Sequence, residues 1–166
     1  DSSPRVTKAA TKLLPELGVL LGFALDLTTA DADGELWDFD RPEMRERARK
    51  RVRDEQPMLL IGSPMCTAFS NIQNLNKMRR DPKVVEEEYE KARVHLGWCC
   101  KLYQKQIVRG AYFLHEHPKN ARSWELAAVQ EVLQMEGVGR VNGDMCEYGM
   151  VQYDVEGIGS IKKPTG

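Results

Sequence analysis

Hydrophobic and polar positions along the chain alternate between helical and extended periods. Apolar residues predict a helix over Val6 to Leu17 behind a Ser-Ser-Pro loop, with Pro15 as a kink or stop and Gly18 at C′. Val19 to Leu27 reads as a strand carrying Asp26 at its carboxyl tip, and Thr28 to Gly34 as a polar loop with an Asp-Gly turn. Asp40, Pro42 and Glu43 mark a helix start. That helix runs from Arg41 to about Asp54 on the stripe Met44, Ala48, Val52. Four successive apolar residues, Met58 to Ile61, predict a strand buried on both faces. An Asn/Gln-rich loop follows, from Asn71 to Asn76.

Asp81-Pro82 caps a long helix that Gly110 ends at about Arg109. Its buried face draws on Val84, Val85, Ala92, Leu96, Cys99, Cys100, Leu102 and Tyr103. Ala111 to His117 is a second apolar strand closed by Pro118, and Ala121 to Met135 a helix ended by Gly137. Val138 to Val141, Asp144 to Tyr148 and Ser160 to Lys162 are candidate short strands. The alternation argues for an α/β fold with a mostly parallel sheet. A chain of 166 residues suits one domain, 1–166, with a real core, and no internal repeat divides it.

Charge changes this picture little. A formal net charge of -1 removes any whole-chain polyanion-binding signature, so contact with nucleic acid must rest on local patches. The densest is the helix with Arg41, Arg45, Arg47, Arg49, Arg51 and Arg53. It reads as a solvated face paired through Glu43 and Glu46, or as a phosphate-facing patch. The four cysteines form neither a disulfide framework nor a zinc knuckle, which implies a reducing intracellular compartment, nuclear or cytoplasmic. No apolar run approaches a membrane span and no signal peptide is visible.

Candidate chemistry lies at the two apolar strand ends. Cys66 follows the Gly62-Ser63-Pro64 turn, and Glu116 stands between His115 and His117. If both strands are parallel, the thiol and the carboxyl share the edge where open α/β sheets bind ligands. A nucleophilic cysteine beside a carboxylic acid suits covalent addition with a proton donor. The plainer readings are a small buried hydrophobe for Cys66, a structural carboxylate for Glu116 and hydrogen-bonded scaffold for the histidines.

Gly62-Ser63-Pro64-Met65-Cys66-Thr67-Ala68-Phe69-Ser70 resembles the catalytic loop of the cytosine-C5 DNA methyltransferase family, commonly G-x-P-P-C-Q-x-F-S. Phe113 to Pro118 is similar to that family's F-x-x-E-N-V strand, and Tyr148 to Gln152 to its Y-G-x-P-Q segment. Met65 and Thr67 depart from the pattern, as do His117 and Pro118, and the glycine-rich first turn is missing. The resemblance implies a Rossmann-like sheet of the S-adenosylmethionine-dependent methyltransferase type, in a divergent or minimal branch of mobile-element or viral kind. It implies Cys66 as the nucleophile toward cytosine C6, with Glu116 holding the base. Asp26, Asp38, Pro64 and Ser3 would hold the cofactor, S-adenosylmethionine. Thr67, Ser70, Lys77, Arg79 and Arg80 would face DNA, or RNA, and no metal is implied. The segment that would recognise the target is expected from a partner chain or another domain.

Two other readings compete. One is an inactive methyltransferase-like module that binds nucleic acid or protein. The other is a metal or thiol hydrolase built from Cys66, His115, His117 and Cys146, whose ligand types would suit zinc.

Overall fold

The computed structural model describes residues 22–70 and 80–144, positions 11, 16, 18 and 20 ahead of them, and the backbone of 151–154, 157–160 and 164–165. The helix predicted over Val6 to Leu17 therefore lies largely outside the described residues, as do Ser3, Lys77, Arg79, Cys146 and Tyr148.

Helix α1 spans Pro42–Glu55 and buries Met44, Ala48 and Val52, the stripe expected from the sequence. Its cap differs: Arg41 occupies the N-cap position without a side-chain cap bond, and the Asp40 N–H instead goes to Asp38 Oδ1 at 2.9 Å. Gln56 ends the helix in the left-handed region at φ 46°. The acidic pairing expected of a solvated arginine face is present. Arg41 pairs with Glu35 and Glu43, Arg47 with Asp31 and Asp33, Arg49 with Glu46, and Arg51 with Glu55.

Strands β1 (Leu59–Gly62) and β2 (Tyr112–His115) pair in parallel, with Gly62 opposite His115. Helix α2, Pro82–Val108, connects them. Parallel strands need such a crossover. Asp81 caps α2 by accepting from the Lys83 N–H at 2.9 Å, and Gly110 leaves it at φ 75°, a conformation glycine adopts without steric cost. The buried part of α2 begins at Leu96; Val84 is exposed, because the early turns run clear of the sheet. Gln106, almost fully buried, donates from Nε2 to the Pro57 and Tyr112 carbonyls, both at 3.0 Å, and so ties together the starts of the two strands.

Two expectations fail here. Residues 22–26 are not strand, and Asp26 instead opens the turn at 27–28. Its Oδ1 accepts from the N–H and hydroxyl of Thr28 at 2.7 and 2.6 Å, a local bonding pattern that competes with a sheet ladder. Nor is β1 buried on both faces. Leu60 and Phe113 pack inward, but Leu59 is 51% exposed and Tyr112 67%, with Ile61 and Leu114 open beside them. Among the described residues, a single helix layer covers one face of this two-stranded sheet.

Beyond β2, the predicted helix from Ala121 breaks in two: a 3-10 turn at Arg122–Glu125, then α3 at Ala127–Leu133. Val138 to Val141 is not strand. The later strands β3 (Gly143–Asp144), β4 (Val151–Asp154), β5 (Gly157–Ser160) and β6 (Pro164–Thr165) pair antiparallel, β3 with β6 and β4 with β5. The only parallel pair among the described residues is β1–β2. The fold is thus mixed helix and strand around a small parallel sheet. One core joins α1, α2 and α3 through Trp37, Met44, Leu96, Trp98, Trp124 and Val129. Among the described residues no helix is long and apolar enough to cross a membrane.

Candidate functional site

The register of the parallel pair decides where the site lies. Gly62 and His115 are partners, so the chain leaves both strands at the same edge, Cys66 on one exit and Glu116 on the other. The Glu116 N–H extends the pairing by one step, to the Gly62 carbonyl at 3.0 Å. Ser63 Oγ then donates to Glu116 Oε2 at 2.9 Å, joining residues 53 apart in the chain. Cys66 is half-buried and starts a one-turn 3-10 helix, Thr67–Phe69, whose Phe69 is buried against His117 and Tyr89. Thr67 faces solvent and Ser70 is half-buried.

Beneath this edge lie two imidazoles with ring centroids 4.8 Å apart. His115 Nδ1 is 3.1 Å from the Tyr103 hydroxyl, while its Nε2 is buried without a hydrogen-bond partner. Burial, then the neighbouring His117, pushes its pKa down to about 4 against a weak opposing pull from Glu116. His117 bonds through Nδ1 to Ser123 Oγ at 2.6 Å and through Nε2 to the Pro64 carbonyl at 3.0 Å. Its pKa is also lowered by burial, with the Pro64 bond and Glu116 acting the other way. Both rings are neutral at physiological pH. Tyr103 closes the underside: a Cβ placed on Gly62 would lie 1.9 Å from its hydroxyl oxygen, so the glycine is needed for this close approach.

Of the residues expected to touch nucleic acid, Lys77 and Arg79 lie outside the described residues. Arg80 is bound to Glu88 at 2.6 Å, and the pairing raises the guanidinium pKa. Among the described residues no group of three His, Cys, Asp or Glu side chains converges as a metal site, and both His117 nitrogens face protein partners. The other described thiols are inert: burial drives Cys99 far up and Cys100 to about 11.

Asp26 and Asp38 stand at the two ends of a segment that doubles back on itself, closed by the Trp37 N–H to the Thr29 carbonyl and by an Ala30–Leu36 bridge. Carboxylates can accept from the hydroxyls and amine of an adenosyl group, the role the resemblance implies for both. Asp38 is half-buried and the more accessible; Asp26 is 5% exposed, with Oδ1 committed to Thr28.

Sequence reasoning placed Cys66 and Glu116 correctly at the strand ends. It did not find Ser63, Tyr103 or the Ser123–His117–Pro64 chain as parts of the site. The available signal was the alternation His115-x-His117, which puts two imidazoles on one strand face. Comparison of the chain with family models, curated proteins and solved structures gives no match.

Proposed function

We propose that this chain is an S-adenosylmethionine-dependent enzyme that methylates cytosine C5 in DNA, on a sheet of the Rossmann-like methyltransferase type. The observation that carries the reading is the Ser63–Glu116 hydrogen bond across the paired strand ends, which puts an oriented carboxyl on the edge that bears Cys66. In this chemistry the Cys66 thiolate forms a bond from Sγ to cytosine C6, and electron density moves onto C5. Glu116 holds N3 and N4 and gives N3 a proton as the adduct forms, which stabilises the developing charge. Ser63 fixes the carboxyl rotamer by donating to Oε2. When bound, S-adenosylmethionine supplies the methyl group, and Asp26 and Asp38 are the side chains assigned to hold it. Water then takes the C5 proton, the electron pair re-forms the C5–C6 double bond and expels Cys66 as thiolate, and N3 returns its proton to Glu116. A stacked cytosine cannot reach the thiol, so the base must be flipped or single-stranded. Thr67, Ser70 and Arg80, on or just beyond the Cys66 loop, are the described candidates for backbone contact.

A second reading has one observation in its favour: the Asp26 carboxylate is buried in its own turn, as in a module that binds without catalysis. Trapping separates the two. Protein, S-adenosylmethionine and an oligonucleotide with 5-fluorocytosine are expected to give a denaturation-resistant adduct on Cys66, because fluorine at C5 blocks elimination. Cys66→Ala should give none while melting as the parent does. Failure of the parent both to form an adduct and to bind the cofactor would overturn the enzymatic reading in favour of the binding module.

A further inference from the structure

His117 is fully buried and engages both ring nitrogens. A carbonyl oxygen only accepts, so Nε2, facing the Pro64 oxygen at 3.0 Å, carries the ring proton. Nδ1 of the neutral ring is then the acceptor, and Ser123 Oγ at 2.6 Å is its donor. The Pro64 carbonyl thus sets the tautomer, and a serine in the 3-10 turn after β2 satisfies Nδ1 from the far side of the ring. The near side grips the loop that carries the thiol. Pro64 lies two residues before Cys66, in a segment, 63–66, without regular secondary structure. Three residues after Cys66, the Phe69 ring packs on the same imidazole at 5.9 Å between centroids. One side chain therefore holds the Cys66 loop on both sides of the thiol.

We infer that His117 is a positioning residue for the Cys66 loop: through the Pro64 carbonyl and the Phe69 ring it holds the thiol half-buried at the sheet edge, with Ser123 satisfying the other ring nitrogen. The inference deepens the reading of Cys66 as a nucleophile and rests on it, but its direct consequence, a loop held in place, needs no methyl transfer to be observed.

Alkylation of Cys66 by iodoacetamide, read peptide by peptide by mass spectrometry on the full chain, tests it. Freeing the loop exposes a half-buried thiol, so His117→Ala is expected to alkylate about fivefold faster or more. Glutamine carries its amide nitrogen as many bonds from Cβ as imidazole Nε2, so His117→Gln should stay within about twofold of the parent rate. Asparagine reaches only the Nδ1 position, and His117→Asn should follow the alanine variant. The nitrogen shifts of His117 in the parent should report the Nε2–H tautomer. If the alanine variant does not fold, the Gln–Asn contrast and the tautomer decide the matter. A parent-like rate in His117→Ala, rescue by Asn as complete as by Gln, or an Nδ1–H tautomer would each overturn the assignment. A missing 5-fluorocytosine adduct alongside the expected alkylation pattern would sink the methyltransferase reading alone.

Discussion

At the scale of single residues the site depends on close approach. Gly62 takes no unusual φ, so its need for glycine is one of space: the Tyr103 hydroxyl fills the volume a methyl would take. Tyr103 is 2% exposed, stacks on Phe113 with centroids 4.7 Å apart, and bonds His115, so it has nowhere to go. Gly62→Ala is therefore expected to cost about 1–3 kcal/mol, the usual range for overpacking a filled core. Urea unfolding would show this as a lower midpoint at unchanged slope, and a midpoint equal to the parent's would mean that helix and strand are not in contact there. At this scale the sequence made Cys66 and Glu116 legible because each sits just past a strand whose end is punctuated, by Gly62-Ser63-Pro64 and by His117-Pro118. The bonds that make them a site, Ser63 to Glu116 and His117 to Pro64, each cross 53 positions, and no local pattern encodes such a pairing.

Elements were legible where capping chemistry and periodicity agreed. Helix α2 begins at the Asp81-Pro82 signal and stops at Gly110, each for the stereochemical reason its residue type suggests. Where local side-chain bonds competed, the boundaries moved. Asp38 takes the Asp40 N–H, which leaves α1 to start from Arg41 without a side-chain cap. The indole of Trp124 donates to the Pro118 carbonyl at 2.8 Å and Gln130 Nε2 donates to the Trp124 carbonyl at 2.6 Å, bonds that accompany the break of the predicted helix at Leu126. This contrast yields a paired test. Asp81→Ala removes a working N-cap and should lower stability by about 1 kcal/mol. Asp40→Ala removes a residue that caps nothing, approaches Lys91 at 3.9 Å and acts on His95 only through its charge, so it should cost under about 0.5 kcal/mol. Thermal melts followed by circular dichroism would rank the two; equal losses would mean that Asp81 does not cap α2.

For the whole molecule, the α/β character was legible from alternating periods, but the extent of the parallel sheet was not. Four apolar residues in a row predict a doubly covered strand, yet Leu59 and Ile61 face outward and, among the described residues, the helices pack on the other face of this sheet. Charge and burial also act at this scale. The chain has three histidines, His95, His115 and His117, and in the fold all three are held below their ordinary pKa, chiefly by desolvation. Unfolding returns each to about 6.5, the value of an exposed imidazole, while His115 in the fold protonates only near 4. Between those values the unfolded chain binds more protons than the native one, so stability must rise with pH across the window and fall on acidification through it. Above about 6.5 neither state binds these protons and the contribution is complete. The exposed carboxylates whose pKa is lowered by arginine partners, Glu88 with Arg80 and Glu90 with Arg93, act at lower pH and through solvent-screened pairs. Urea unfolding is therefore expected to lose about 1–3 kcal/mol between pH 7 and pH 4.5. Histidine ring-proton shifts in the native state should titrate below the ordinary value, His115 lowest. A flat stability profile over that window would mean that the imidazoles stay solvated in the fold, and with it the buried His115–His117 pair under the Cys66 edge would be lost.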